Sequence, residues 1–307
     1  MAADSRAPAA TSPATPLFRQ IRRQLRPEQI AANALLLVIV LICLLPIVWA
    51  VSSSLKGSKE LYQAVPSLLP ASPTLGNYTF ILTRRGMEAM PQNVLNSLQV
   101  SVVAMLLTVL LATMAGYGFG RLAFPGRDGL FYAITMLMFV PRAGGLMAAY
   151  ELMAFLHLRD SDWGLALAFT GALSIPIFIM RQTFLTIPRE VEEAGIIDGA
   201  SPWQLFWQVD APMATGGMVV VAILTFIQSW GDYLFTLTMI DSPEKMTLSV
   251  AISQISSWSS ALFQSSAFAT YGAQAAGQVL LMAPVIVVFI FLQRWFIRGL
   301  QDGALKL

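Results

Sequence analysis

The chain has 307 residues, 56% of them hydrophobic and only 12% charged, with a formal net charge of +2. A soluble protein carries about 25% charged residues, so an ordinary soluble domain is excluded, and the absence of a basic face or aromatic platform excludes a nucleic-acid binder. A single cysteine, Cys43, and a single histidine, His157, exclude an internal disulfide and a histidine-built metal site.

Residues 1 to 16 are rich in Ala, Pro, Ser and Thr, the composition of a disordered segment. Residues 1–27 are therefore expected to form a tail ahead of a membrane domain over 28–307. Six apolar runs follow, each near the length of about twenty residues that crosses a bilayer as a helix. They are roughly Ala32 to Val51, Ser97 to Phe119, Leu130 into the Met147 region, Trp163 to Met180, Gly216 to Ile240, and Ala275 to Phe296. The expected fold is an all-α integral membrane protein with six transmembrane helices. The first run has the basic flank of a signal peptide but exceeds an h-region of about 7–15 residues, so it reads as an uncleaved span.

In the second run, Gly116-x-Gly118-x-Gly120 has no strand before it and no acidic residue at the distance a nucleotide fingerprint requires. Gly116-xxx-Gly120 instead predicts close helix packing. The third run is interrupted by Pro141, Arg142, Gly144 and Gly145, and a broken helix in a membrane must be covered by protein or line water. A charge at a helix centre costs about 2.5–3.5 kcal/mol on insertion scales. Arg142 and Asp232, and Glu151 near an outer end, should each face a cavity, a partner or the interface. His157 reads as an outer-loop surface residue.

Basic residues orient the spans. With the N-terminus inside, Arg6, Arg19, Arg22, Arg23, Arg26, Arg121, Arg127, Arg181, Arg189, Arg294, Arg298 and Lys306 are cytoplasmic, and Lys56, Lys59, Arg84, Arg85, Arg159 and Lys245 are outside: twelve against six. Both termini are expected in the cytoplasm.

Between the fourth and fifth runs lies a polar island, the loop 185–212. Pro188 suits a first helical position, and Glu190, Glu192 and Glu193 suit the first turns, where the helix dipole favours negative charge. Asp198-Gly199 then breaks the helix, with Gly199 free to take positive φ. Ser201 as N-cap, Pro202 and Gln204 restart it through a capping box. Two readings stand for this acidic elbow: an amphipathic connector on the lipid surface, or a docking surface for a soluble partner. Lipid-surface helices usually carry Lys and Arg, so the acidic first helix favours docking.

These residues resemble a family. Glu193-Ala194-Gly195, Asp198-Gly199-Ala200 and Pro212 are similar to the EAA loop of ABC importer permeases. Pro73-Thr-Leu-Gly-Asn-Tyr78, Asn96-Ser97, the segment Gly116 to Gly126, and Trp230-Gly-Asp-Tyr233 resemble further elements in the same order. The segment Gln293 to Lys306 resembles the C-terminus of carbohydrate-importer permeases of the MalG type. There are departures: Gly195 stands for the second Ala of E-A-A, Ala211 for the Leu before Pro212, and Gly231 for the usual Asn.

The resemblance implies a type I ABC importer permease fold in a prokaryotic inner membrane. It implies as partners a second permease, two ATPase subunits, an extracellular solute-binding protein and membrane lipid. It assigns a coupling helix to Glu193, Ala194, Gly195, Asp198, Gly199 and Ala200. No P-loop occurs in the chain, so ATP and magnesium would be used by the partner ATPase and no cofactor is expected here. No nucleophile with a partner base stands in the spans, so the chain is not expected to be an enzyme. Trp230, Asp232 and Tyr233 are candidate solute-pathway residues. Trp230 and Tyr233 could stack on a sugar ring or pack a permease–permease interface, and both readings stay open. A stand-alone channel or secondary carrier is the alternative function, although no internal repeat between the halves supports it.

Overall fold

The computed structural model describes residues 27–63, 65, 67–83, 90–262 and 270–304, and among these there is no strand. The expected tail, except for Pro27, lies outside the described residues, as do Arg84, Arg85 and Lys306. Helix α1, Pro27–Ser54, contains Pro46 and stands as a unit by itself up to Trp49. Four successive residues on it, Leu35 to Val38, are all exposed. A helix that is apolar all round is built for lipid, not for a water–protein boundary.

The second unit begins at Ala50. After the short α2, Ser58–Leu61, and α3, Gly76–Thr83, comes its central helix α4, Met90–Arg121. Next are α5, Arg127–Met136, α6, Leu146–Phe155, α7, Asp162–Thr170, and α8, Ser174–Thr186. The elbow holds α9, Arg189–Ile197, and α10, Pro202–Met213, the latter wound as a π-helix over Leu205–Asp210. Then follow α11, Thr215–Gly231, α12, Leu234–Met239, α13, Leu248–Leu262, and α14, Thr270–Ala304.

Among the described residues, three helices are long and apolar enough to cross a bilayer: α1, α4, and α14 over Tyr271–Phe291. The bent pairs α7–α8, at 52°, and α10–α11, at 71°, pass the same test jointly. The third expected run is built in pieces. Between α5 and α6 the chain takes 3-10 turns at Leu137–Phe139 and Arg142–Gly145. Pro141 removes a backbone donor there and the glycines hold no helix. The Arg142 side chain is exposed, and its guanidinium lies 5.5 Å from the Phe169 ring and 5.6 Å from the Phe235 ring.

Helix α4 packs closely on α8, as the glycine spacing predicts. A Cβ on Gly116 would strike Met180 and the backbone of Arg181, and one on Gly120 would lie 3.2 Å from Phe184 Cβ. This contact sits in a core with Phe119, Phe131, Ile177 and Phe206. At the other end of α4, Asn93 donates to the carbonyls of Pro243 and Met246, Asn96 to that of Glu244, and Leu248 N donates to Ser97 Oγ. Asp160, at φ 52°, accepts from the backbone of Asp241 and Ser242, the Ser242 hydroxyl and Lys245 Nζ. The Ser242 hydroxyl leads in holding the Asp160 carboxyl far below the usual range. His157 is exposed in the adjoining turn, as expected.

The fifth run departs from expectation by breaking before its end. α11 stops at Gly231, and Asp232 turns extended, with ψ 131°. Asp232, one residue before the N-cap Tyr233, accepts through Oδ1 from Thr236 N at 3.0 Å, so its carboxylate satisfies a backbone donor in the first turn of α12.

Candidate functional site: the polar elbow

The elbow's corner is made by local rules. Helix α9 ends in a paired set of backbone bonds, Gly199 N to Ile196 O and Ala200 N to Gly195 O, both 3.0 Å. This is a Schellman ending, and it needs a left-handed residue just past the helix. Gly199 supplies it at φ +83°. Ser201 then caps α10: its backbone N donates to Gln204 Oε1 at 2.8 Å, and its Oγ accepts from Gln204 N at 3.4 Å. The expected capping box is present. Pro188 corrects an expectation: it is the N-cap, with Arg189 the first helical residue. Its φ of −61° suits either position, and its extended ψ of 137° places it outside the helix.

The residues assigned to coupling by resemblance differ in exposure. Glu193, Ala194, Asp198 and Gly199 are exposed, and Gly195 and Ala200 are half-buried. Ile196 and Ile197 stand beside them at 60% and 85% exposure, an apolar patch on an acidic helix. A Cβ on Gly195 would meet Leu205 Cδ2 at 2.6 Å, so the small residue lets α9 lie close on the π-helical turn.

Beneath this surface is a charged cluster that the sequence reading did not single out. Arg121, the last residue of α4, is buried and pairs through Nε with Glu192 Oε1 at 2.7 Å. Its Nη2 also donates to Ile187 O, at 2.5 Å. Asp210, just before the fifth span, is 0% exposed, and neither carboxyl oxygen receives a hydrogen bond. Burial first, and then the neighbouring Glu192 carboxylate, push its carboxyl up to about 6 against the opposing pull of Arg121. The available sign was an acid inside the apolar stretch Leu205 to Met213.

The candidate pathway residues separate. Trp230 is 1% exposed, its ring stacks on Phe226 with centroids 5.7 Å apart, and Nε1 donates to Leu281 O at 2.8 Å. Trp230 is thus a core residue tying α11 to α14, with no face open to a solute in this conformation. Trp230→Ala is expected to cost about 3–5 kcal/mol and to lower the amount of intact protein in a detergent thermal-stability assay, while Trp230→Phe retains most of the fold. Tyr233 is 43% exposed, and Asp232 is half-buried under its capping bond. An open cavity of about 660 Å³ beside α12 is lined by Gly144, Leu146, Met147, Tyr150 and Thr238. Among the described residues no group of His, Cys, Asp and Glu could hold a metal ion.

Residues 100–302 match the family model described as binding-protein-dependent transport system inner membrane component. The trehalose transport system permease protein SugB of Mycobacterium tuberculosis is 32% identical over 86% of this chain and 92% of its own. The galactooligosaccharides transport system permease protein GanQ of Bacillus subtilis is 29% identical over 94% of this chain and 98% of its own. The crystal structure of a bacterial ABC transporter involved in the import of the acidic polysaccharide alginate contains a chain of like fold. It has a TM-score of 0.76 and 22% identity over 93% of this chain and 100% of that one.

Proposed function

The chain belongs to the family of binding-protein-dependent transport system inner membrane components, and we propose on that footing that it is the membrane-spanning permease subunit of an ATP-driven carbohydrate or polyol importer. The observation that carries the reading is the elbow: a corner set at Gly199 that presents an exposed acidic and apolar helix and is fastened to the end of α4. Contiguous exposed apolar residues rimmed by polar ones fit a contact surface, and Ile196 and Ile197 beside Glu193 are such neighbours.

In this reading both termini and the elbow face the cytoplasm. Two ATPase subunits dock there and spend ATP with magnesium. A second permease completes the pathway, and an extracellular binding protein delivers the solute. Closure of the ATPases pushes α9, and the corner passes the push to α10 and α11, turning the cavity between inward and outward access. Tyr233 and Asp232 are the pathway residues of this chain. The names of relatives support a carbohydrate: trehalose, galactooligosaccharides and, for the 33%-identical MdxG of Bacillus subtilis, maltodextrin.

Purification of the tagged protein from its own membranes should bring down an ATPase and a second permease. Proteoliposomes of that complex should take up one or more of a panel of sugars and polyols only with ATP and a binding protein. Uptake by the isolated chain without a hydrolase would contradict the reading and point to a stand-alone carrier.

A further inference from the structure

The cluster under the elbow holds one cation and two carboxylates. Arg121 is committed to Glu192 through its ion pair and to the Ile187 carbonyl. Asp210 faces Glu192 without a hydrogen-bond donor to either of its oxygens. Two carboxylates side by side are both acceptors, so a bond between them forms only when one carries a proton. The other charged and titratable groups near the π-helical turn do not change this. Tyr117 of α4 turns its ring onto Phe206, with centroids 4.9 Å apart. Arg181 of α8 lies over the Phe131 ring at 4.1 Å and donates to Phe119 O. Arg189, Glu190 and Glu193 lie on exposed positions of α9.

We propose that Asp210 is a positioning residue for energy coupling: a proton shared with Glu192 fastens α9 to α10, the helix that leads into α11, and its loss loosens the elbow. This rests on the coupling reading above and adds to it a proton as a ligand of the joint. With the proton, the cluster is neutral: Arg121 balances one carboxylate and the acid O–H donates to the other. Without it, two anions confront one cation at a site from which Asp210 cannot reach water. That repulsion is relieved when Glu192 moves away from Asp210, which swings α9 off α10.

The direction follows from the raised carboxyl. Its contribution to the fastened elbow is complete below the ordinary aspartate value of 3.8 and is lost as pH rises through about 6. Because the two acids titrate as a pair, the midpoint belongs to the pair. α10 carries the polar Gln204, Gln208 and Asp210 and meets α11 at 71°.

The test uses the complete purified transporter in proteoliposomes and reads solute imported per ATP hydrolysed between pH 5.5 and 8. That ratio cancels the ATPase's own pH dependence. Wild type is expected to lose several-fold in the ratio as pH rises, with a midpoint near 6. Asp210→Asn keeps a permanent donor toward Glu192 and should hold a high, flat ratio. Asp210→Ala removes both the donor and the second anion, leaves the Arg121–Glu192 pair balanced, and should give a flat ratio between the two wild-type extremes. A tightly coupled wild type whose ratio does not move with pH, or an Asp210→Asn profile that follows wild type, overturns the proton-fastened joint and leaves the coupling reading standing. A wild-type complex that hydrolyses ATP out of step with uptake at every pH overturns the coupling reading itself.

Discussion

Gly199→Val is expected to leave the protein in the membrane at its normal level and to lower uptake by about 5–30-fold. Gly199 sits at φ +83°, with open space where a side chain would be. The penalty therefore comes from the backbone and not from a clash. An L-residue in the left-handed region costs roughly 1–2 kcal/mol, and a β-branched one is a genuine outlier there. That alone lowers the population of the correct corner by about 5–30-fold. The spans do not depend on the corner, so insertion survives. The helix that meets the ATPase is then misaimed in most molecules, and uptake falls in the same proportion while the complex still binds ATP. Gly199→Asn is the matched control, because asparagine tolerates the left-handed region. It should retain a large share of transport. Equal uptake by the valine variant and wild type would show that the corner's angle does not matter.

Gly116→Leu is expected to act on the fold and not on coupling. A first side-chain carbon at this position already meets Met180 and the backbone of Arg181. Backbone cannot rotate away as a flexible side chain can, so α4 and α8 must separate. Overpacking of this kind costs about 1–3 kcal/mol, occasionally more. Here it also disturbs Phe119, Phe131 and Phe184 in the same core. Little intact protein should survive detergent extraction, and its thermal midpoint should drop clearly. Gly118→Leu is the internal control, since nothing lies within 4 Å of a carbon added at Gly118. Similar behaviour of the two variants would contradict the packing assigned to Gly116.

The parts of the molecule legible in the sequence are those fixed by short-range chemistry. Gly199, and the Ser201–Gln204 capping box, are set by neighbours within three residues, and the structure holds both as expected. Pro141 announced the broken third run for the same reason. The break at Asp232 was not legible. Its carboxylate competes with the helix for Thr236 N, a choice that apolar composition does not reveal. Trp230 looked available to a sugar until its indole was found bonded to Leu281, fifty-one positions along the chain. The Arg121, Glu192 and Asp210 cluster joins three elements whose meeting depends on tertiary packing. At Gly195, one of the departures from the family pattern, an added Cβ would meet only the tip of the Leu205 side chain, which can turn aside.

The claim that the elbow is the contact with the ATPase is open to direct chemical capture. In a Cys43→Ser background, Asp198→Cys places one thiol on the exposed corner and Glu244→Cys places one on the exposed loop beyond α12. A short bifunctional thiol reagent applied to the assembled transporter should join position 198 to the ATPase subunit, in a yield that changes when ATP is added, and should leave position 244 unlinked to it. An elbow thiol that never reaches the ATPase, or that reacts with an impermeant reagent added outside intact cells, would contradict the account.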